Sequence, residues 1–107
     1  MSAVLVRNPA VVWRDEPAAR EAIFDALARG EDVGDRGWVL LVDRGAMHEL
    51  NLLGGEIWCL ADGTREVGAI AASLAADYDA PAEEILSDVE DFVASCLAKG
   101  WLVREER

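Results

Sequence analysis

Basic residues are scarce in this chain of 107 residues, which carries ten Lys and Arg against 21 Asp and Glu for a formal charge of -11. The imbalance is concentrated after residue 45, where thirteen acidic residues accompany only four basic ones. Nucleic acids and anionic membranes are bound largely through Lys and Arg. The composition therefore argues against both as partners.

The sequence also lacks the spacings of metal, redox and targeting motifs. Its two cysteines, Cys59 and Cys96, each stand alone in an apolar helical pattern and form no CxxC pair. No apolar run approaches the roughly 18 residues of a membrane span, and the N-terminus lacks the basic and apolar regions of a signal peptide. We therefore expect a cytoplasmic protein that holds no metal and no cofactor.

Catalytic residues are equally hard to find. The one histidine, His48, has no Ser, Cys or carboxylate at a spacing that predicts a proton relay. The glycines of "LLGG", residues 52–55, are not followed by the Lys and Ser or Thr of a phosphate-binding loop. We expect no enzyme, and we interpret His48 as a surface or groove-lining side chain.

What the sequence has is apolar content, at 52% hydrophobic residues with four Trp, which is enough for the core of one domain spanning residues 1–107. We expect three of the Trp in that core and Trp101 to be the exposed one. The N-terminal half begins with an extended arm and a short strand. A helix at about residues 16–29 follows, with Pro17 in its first turn.

The apolar run "WVLLVD" from Trp38 predicts a buried strand, and Arg44-Gly45 predicts the turn of a hairpin with "AMHELN", residues 46–51. Asn51 can cap the helix that comes next. Gly54 and Gly55 lie in the first turn of that helix, at a cost of about 1 kcal/mol each relative to Ala. We therefore expect another element, most simply a stretch of backbone, to approach this turn closely.

Apolar residues at helical spacing then predict two further helices, the last of about 18 residues. A short extended piece, "WLV", precedes the charged tail. A small antiparallel sheet of about three strands followed by three helices predicts an α+β fold of the winged helix-turn-helix type, with the helices forming a three-helix bundle.

The stretch from residue 38 to residue 103 resembles the PqqD family of peptide chaperones, also called RiPP recognition elements. The matching features are "LN" at the strand end, the small pair Gly54-Gly55 before "EIW", the "DGT" turn, "DV..F" in the last helix and the terminal "KGWL". The resemblance implies a non-enzymatic protein that binds the leader of a ribosomally synthesised precursor peptide. It would present that leader to a modifying enzyme, often a radical SAM protein. The helix at residues 16–29 is an addition to the family pattern, and its role in the segment 15–37 is open.

In this family the leader adds a strand to the sheet beside the last helix. Carried over, the resemblance implies a receiving edge made of Ala46, Met47, His48, Glu49 and Leu50. On the facing helix two apolar stripes compete for the core. We assign Ile85, Val89, Phe92 and Cys96 to the core, which leaves Leu86, Glu90, Val93 and Leu97 to line the peptide groove.

Two other functions remain open at this level. A winged-helix fold also suits a DNA-binding regulator, although the acidic charge argues against one. A small adaptor subunit of another complex is the third possibility.

Overall fold

The computed structural model describes residues 3–34 and 36–106. It has mixed α+β architecture with two small antiparallel sheets and four helices, as the sequence predicts at the level of fold class. The elements in chain order are β1 (Ala3–Arg7), β2 (Val12–Asp15), α1 (Pro17–Ala28), β3 (Gly37–Asp43), β4 (Ala46–Asn51), α2 (Leu52–Leu60), α3 (Val67–Tyr78), α4 (Ala82–Lys99) and β5 (Leu102–Glu106). The winged-helix arrangement and the three-helix bundle stay predictions.

The chain divides into two compact units. Residues 10–55 form one, called the central unit below, and residues 1–9 with residues 56–107 form the other, called the terminal unit. Helix α2 begins in the first and ends in the second.

The central unit is built on a three-stranded antiparallel sheet in the order β2-β3-β4. Arg44 and Gly45, with φ of 51° and 80°, form the two-residue turn between β3 and β4. Two consecutive positive φ values are typical of the type I′ turn, whose twist matches that of the strands it joins. The predicted hairpin is confirmed.

Helix α1 lies within the predicted range and belongs to the same unit. Pro17 is its first residue, where the missing N–H costs nothing. The Arg20 guanidinium lies over the rings of Phe24 and Trp38, at 4.7 Å and 5.4 Å from their centroids. The side chains that bury in this unit are Val11, Ile23, Ala26, Trp38, Val39, Leu41 and Leu50. The helix exists as predicted, and its status as an addition to the family pattern stays a prediction.

In the terminal unit, β1 pairs with β5 in an antiparallel register from Ala3↔Glu106 to Arg7↔Leu102. The extended "WLV" piece therefore leads into a real strand, which continues to Glu106. The side chain of Asn8 donates a hydrogen bond to the carbonyl of Gly100, 2.7 Å away, and the Gly100 φ of 76° ends α4.

The core of the terminal unit consists of side chains from both strands and all three helices: Val4, Leu5, Ile57, Trp58, Ala61, Ile70, Ala71, Leu74, Ala75, Ile85, Val89, Val93, Cys96, Trp101 and Leu102. The prediction that Trp101 is exposed is wrong, since only 4% of it is accessible. The ammonium group of Lys99 lies 4.6 Å from its ring centroid and covers one face of the indole.

Candidate peptide-binding site

Strand β4 occupies an outer position in the sheet of the central unit. It pairs with β3 from Asp43↔Ala46 to Gly37↔Asn51, with an irregularity between Gly37 and Val39. In an antiparallel pair, alternate residues point their N–H and C=O groups away from the partner strand. An outer strand of six residues therefore offers a row of donors and acceptors to a further strand.

All five predicted edge residues lie on this strand, and the pleat divides them between two faces. Leu50 is buried, and His48 is half-buried on the same face, opposite Leu41 of β3. Met47 and Glu49 project from the other face, where both are exposed. The histidine therefore lies beside an apolar core position, and its role as a surface or groove-lining side chain stays a prediction.

The junction between β4 and α2 is fixed by side chains on both sides of it. The Asn51 side-chain oxygen accepts a hydrogen bond from the Gly54 N–H at 2.8 Å, which confirms the predicted N-cap. The Trp38 indole N–H donates to the carbonyl of Leu52 at 3.2 Å. Together these bonds hold the end of β4 against the first turn of α2.

At Gly55, the second residue of the double glycine, the predicted close approach is made by side chains and not by backbone. A Cβ added at Gly55 would lie 2.6 Å from Cε2 of Trp38 and 3.0 Å from Cγ2 of Val39. Only glycine leaves room for the indole at this position. The expectation of a backbone neighbour was wrong because a large flat ring can fill the same space.

On α4, three of the four predicted groove residues come together. Glu90, Val93 and Leu97 line one cavity of about 510 Å³ in the terminal unit, with Val67, Ala94 and Arg104. Leu86 lies outside that lining and is 37% exposed. The side chains that line the cavity are apolar except for Glu90 and Arg104.

The assignment of the two α4 stripes needs one correction. Val93 is 1% exposed and belongs to the buried face with Ile85, Val89 and Cys96, whereas Phe92 is only half-buried. Val93 therefore borders the cavity from within the core and does not project into an open groove. Leu86, Glu90 and Leu97 retain accessible surface.

Helix α4 presents an acidic surface. Its exposed carboxylates extend from the first turn past the middle of the helix: Glu83, Glu84, Asp88, Glu90 and Asp91. Such a surface attracts cationic ligands at low salt and repels phosphate.

An open apolar face of the sheet was missed at the sequence level. Val12, Leu40, Val42 and Met47 line a second cavity, of about 310 Å³, with Trp13 and Arg14. The signal was present in "WVLLVD", because a continuous apolar run gives a strand two apolar faces. That run was interpreted as a buried strand, yet Val42 is 39% exposed.

Two observations bear on the chemistry of the chain. Within residues 3–34 and 36–106, no three His, Cys, Asp or Glu side chains are grouped as a metal ion would require. None of the helices in that part of the chain has the length and apolarity to cross a bilayer.

Comparison with solved structures finds the same fold in two proteins of low sequence identity. One is TbiB1 in complex with the TbiA(beta) leader peptide, with a TM-score of 0.62 and 20% identity, covering 91% of this chain and 93% of that chain. The other is the PqqD truncation of Methylobacterium extorquens PqqCD, described as a functional, stand-alone RiPP recognition element. Its TM-score is 0.62 at 22% identity, over 97% of this chain and 89% of that chain.

None of the curated proteins compared with the chain matches it. The family model "Coenzyme PQQ synthesis protein D (PqqD)" matches residues 37–102, which is more than half of the chain and coincides with the stretch that carries the resemblance. The chain belongs to the PqqD family.

Proposed function

We propose that this protein binds the leader of a ribosomally synthesised precursor peptide and presents it to a modifying enzyme, without catalysing a reaction itself. The observation that carries the proposal is the outer position of β4 in an antiparallel sheet. An extended peptide that adds to such an edge gains main-chain hydrogen bonds, while neighbouring side chains select its sequence. Membership of the PqqD family and the leader peptide bound to TbiB1 support this function.

Of the two outer strands in the sheet, β4 is the better acceptor. Strand β2 has four residues and β4 has six. Pro9 and Pro17 flank β2, and Arg14 and Asp15 within it are exposed. Prolines and charges at an edge are the features that discourage strand addition. The β4 sequence carries no proline, so each of its six residues keeps an N–H donor.

Selectivity is proposed to come from two side-chain surfaces. On β4 itself, Met47 and Glu49 stand on one face and His48 and Leu50 on the other. On α4, the accessible groove residues are Leu86, Glu90 and Leu97, and the exposed carboxylates of that helix favour a leader with basic residues.

The partner enzyme is proposed to be a radical SAM protein, as is common in the family. In this proposal the partner enzyme catalyses the modification and this chain holds the leader.

Calorimetric titration of the full chain with a synthetic leader peptide tests the proposal, and a search for short peptide genes near its own gene is the way to find the sequence of that leader. A peptide that becomes ordered on binding loses conformational entropy, so we expect a dissociation constant on the order of micromolar to tens of nanomolar. A scrambled leader of the same composition should bind at least about tenfold more weakly. Equal affinity for both peptides, or tighter binding to duplex DNA than to the leader, would contradict the proposed function.

A further inference from the structure

The open face of the central sheet carries an apolar row that runs straight across all three strands. Val12 of β2 lies opposite Val42 of β3, and Val42 lies opposite Met47 of β4. The three side chains are 68%, 39% and 70% exposed. Because directly opposed residues of neighbouring strands project on the same side of a sheet, these three form one line of cross-strand neighbours.

This row ends at the strand edge that the proposed function assigns to the leader. Met47 is the last member of the row and also a member of the receiving strand. A fourth strand added to β4 must continue the pleat, so alternate side chains of that strand stand on the open face. One of them must stand directly beside Met47.

We infer that the leader places a large apolar side chain beside Met47, so that the Val12–Val42–Met47 row becomes a row of four residues. This inference rests on the proposed function and specifies its substrate class. The leader should carry a β-branched or aromatic residue at this position, because such side chains pack best against cross-strand neighbours on a pleated surface. The apolar cavity of about 310 Å³ above Val12, Leu40, Val42 and Met47 has room for its outer end.

The bound leader fits this row better than a second copy of the chain does. Each chain carries a formal charge of -11, so two copies repel one another. A peptide added to the edge covers Met47 as a direct consequence of strand pairing.

Selection from a display library of short random peptides on the full chain tests the inference and does not require the sequence of the leader. Peptides selected on the wild-type protein should share an apolar residue at one fixed position. Met47→Lys, at a side chain that is 70% exposed, should replace that residue by Asp or Glu, since opposite charges pair favourably across strands. A peptide selected on the wild type should bind Met47→Lys about two- to fivefold more weakly.

Leu27→Lys is the matched control, because Leu27 is an exposed apolar residue of α1, 44% accessible and outside the row. Peptides selected on Leu27→Lys should have the same residue preferences as peptides selected on the wild type. Amide hydrogen exchange with a selected peptide then separates the two possible failures. Peptides that leave the β4 amides unprotected would overturn the proposed function and the inference together. Peptides that protect β4 but are selected identically by wild type and Met47→Lys would overturn the inference alone.

Sedimentation of the unliganded proteins tests whether a second copy of the chain covers the Val12–Val42–Met47 row. We expect the wild type and Met47→Lys to sediment alike. A wild-type dimer that Met47→Lys converts to a monomer would assign the row to a second copy of the chain and overturn the inference.

Discussion

The indole of Trp38 covers Gly55 so closely that a Cβ at residue 55 would lie 2.6 Å from the ring atom Cε2. The same indole donates a hydrogen bond to the carbonyl of Leu52, in the first turn of α2. One side chain of β3 thus fixes the point where β4 turns into a helix. Strand β4 is the proposed edge for the leader. The position of that edge therefore depends on the contact of Trp38 with the first turn of α2.

Replacing Gly55 by Ala should therefore lower the free energy of unfolding. Overpacking against Trp38 costs about 1 to 3 kcal/mol, and the higher helix propensity of Ala offsets part of this. Gly68 is the matched control, since it is also helical but has no atom within 4 Å of its added Cβ. Gly68→Ala should raise stability by about 0.4 to 1 kcal/mol. Urea denaturation of both variants measures the difference, and a stabilised Gly55→Ala would contradict the Trp38 contact.

The Asn51 cap leads to a second prediction. Asn51→Ala removes the acceptor of the Gly54 N–H and should cost about 1 kcal/mol of stability. Asn51→Asp keeps an acceptor at this N-terminus and should remain close to the wild type. Thermal melts at one pH compare the three proteins. Equal losses of stability in both variants would mean that the Asn51 side chain stabilises the protein by a contact other than the N-cap hydrogen bond.

The buried thiol of Cys96 should resist alkylation. Desolvation by burial raises its pKa from the ordinary 9.0 to about 11, although Lys99 acts in the opposite direction. The reactive thiolate is therefore rare at pH 9, and the stabilising contribution of the neutral thiol is lost as the pH rises from 9 through 11. Peptide mass spectrometry after iodoacetamide treatment at pH 9 should show half-buried Cys59 labelled well before Cys96. Labelling of Cys96 at the rate of a free thiol would show that it is not buried.

The two groove candidates on α4 should respond very differently to a charge. Val93→Glu places a carboxylate at a residue that is 1% exposed and should cost about 3 to 5 kcal/mol of stability. Leu86→Glu, at 37% exposure on the same helix, should change stability by less than about 0.5 kcal/mol. Circular dichroism during urea titration distinguishes them. A Val93→Glu variant as stable as the wild type would show that Val93 is accessible and belongs with Leu86, Glu90 and Leu97.

Leu86→Glu also permits a binding test that Val93→Glu does not. If Leu86 contacts an apolar leader residue, the variant should lose about tenfold in leader affinity while remaining folded. Unchanged affinity would remove Leu86 from the site.

Local signals in the sequence predicted much of this fold. Arg44-Gly45 marked the hairpin turn and Asn51 marked a helix start. Each of these depends on a few neighbouring residues, so a short window of sequence is sufficient. The pairing of β1 with β5 joins opposite ends of the chain and leaves no such local signal.

The candidate site was predictable only in part for the same reason. Phe92 and Val93 are adjacent and both continue the apolar spacing from Val89, so periodicity alone cannot decide which is buried. Neighbouring elements decide it, and they favour Val93. The double glycine indicated a close approach to α2, but the identity of Trp38 as the neighbour depends on tertiary structure.

Amide hydrogen exchange of the full chain with and without its leader peptide tests strand addition at β4 most directly. If the leader pairs with β4, alternate amides of residues 46–51 become protected on binding, because only every second N–H of an edge strand points outward. The β2 edge, residues 12–15, serves as an internal control and should exchange at the same rate in both samples. Protection confined to residues 12–15, or to residues 31–34, would contradict addition of the leader to β4.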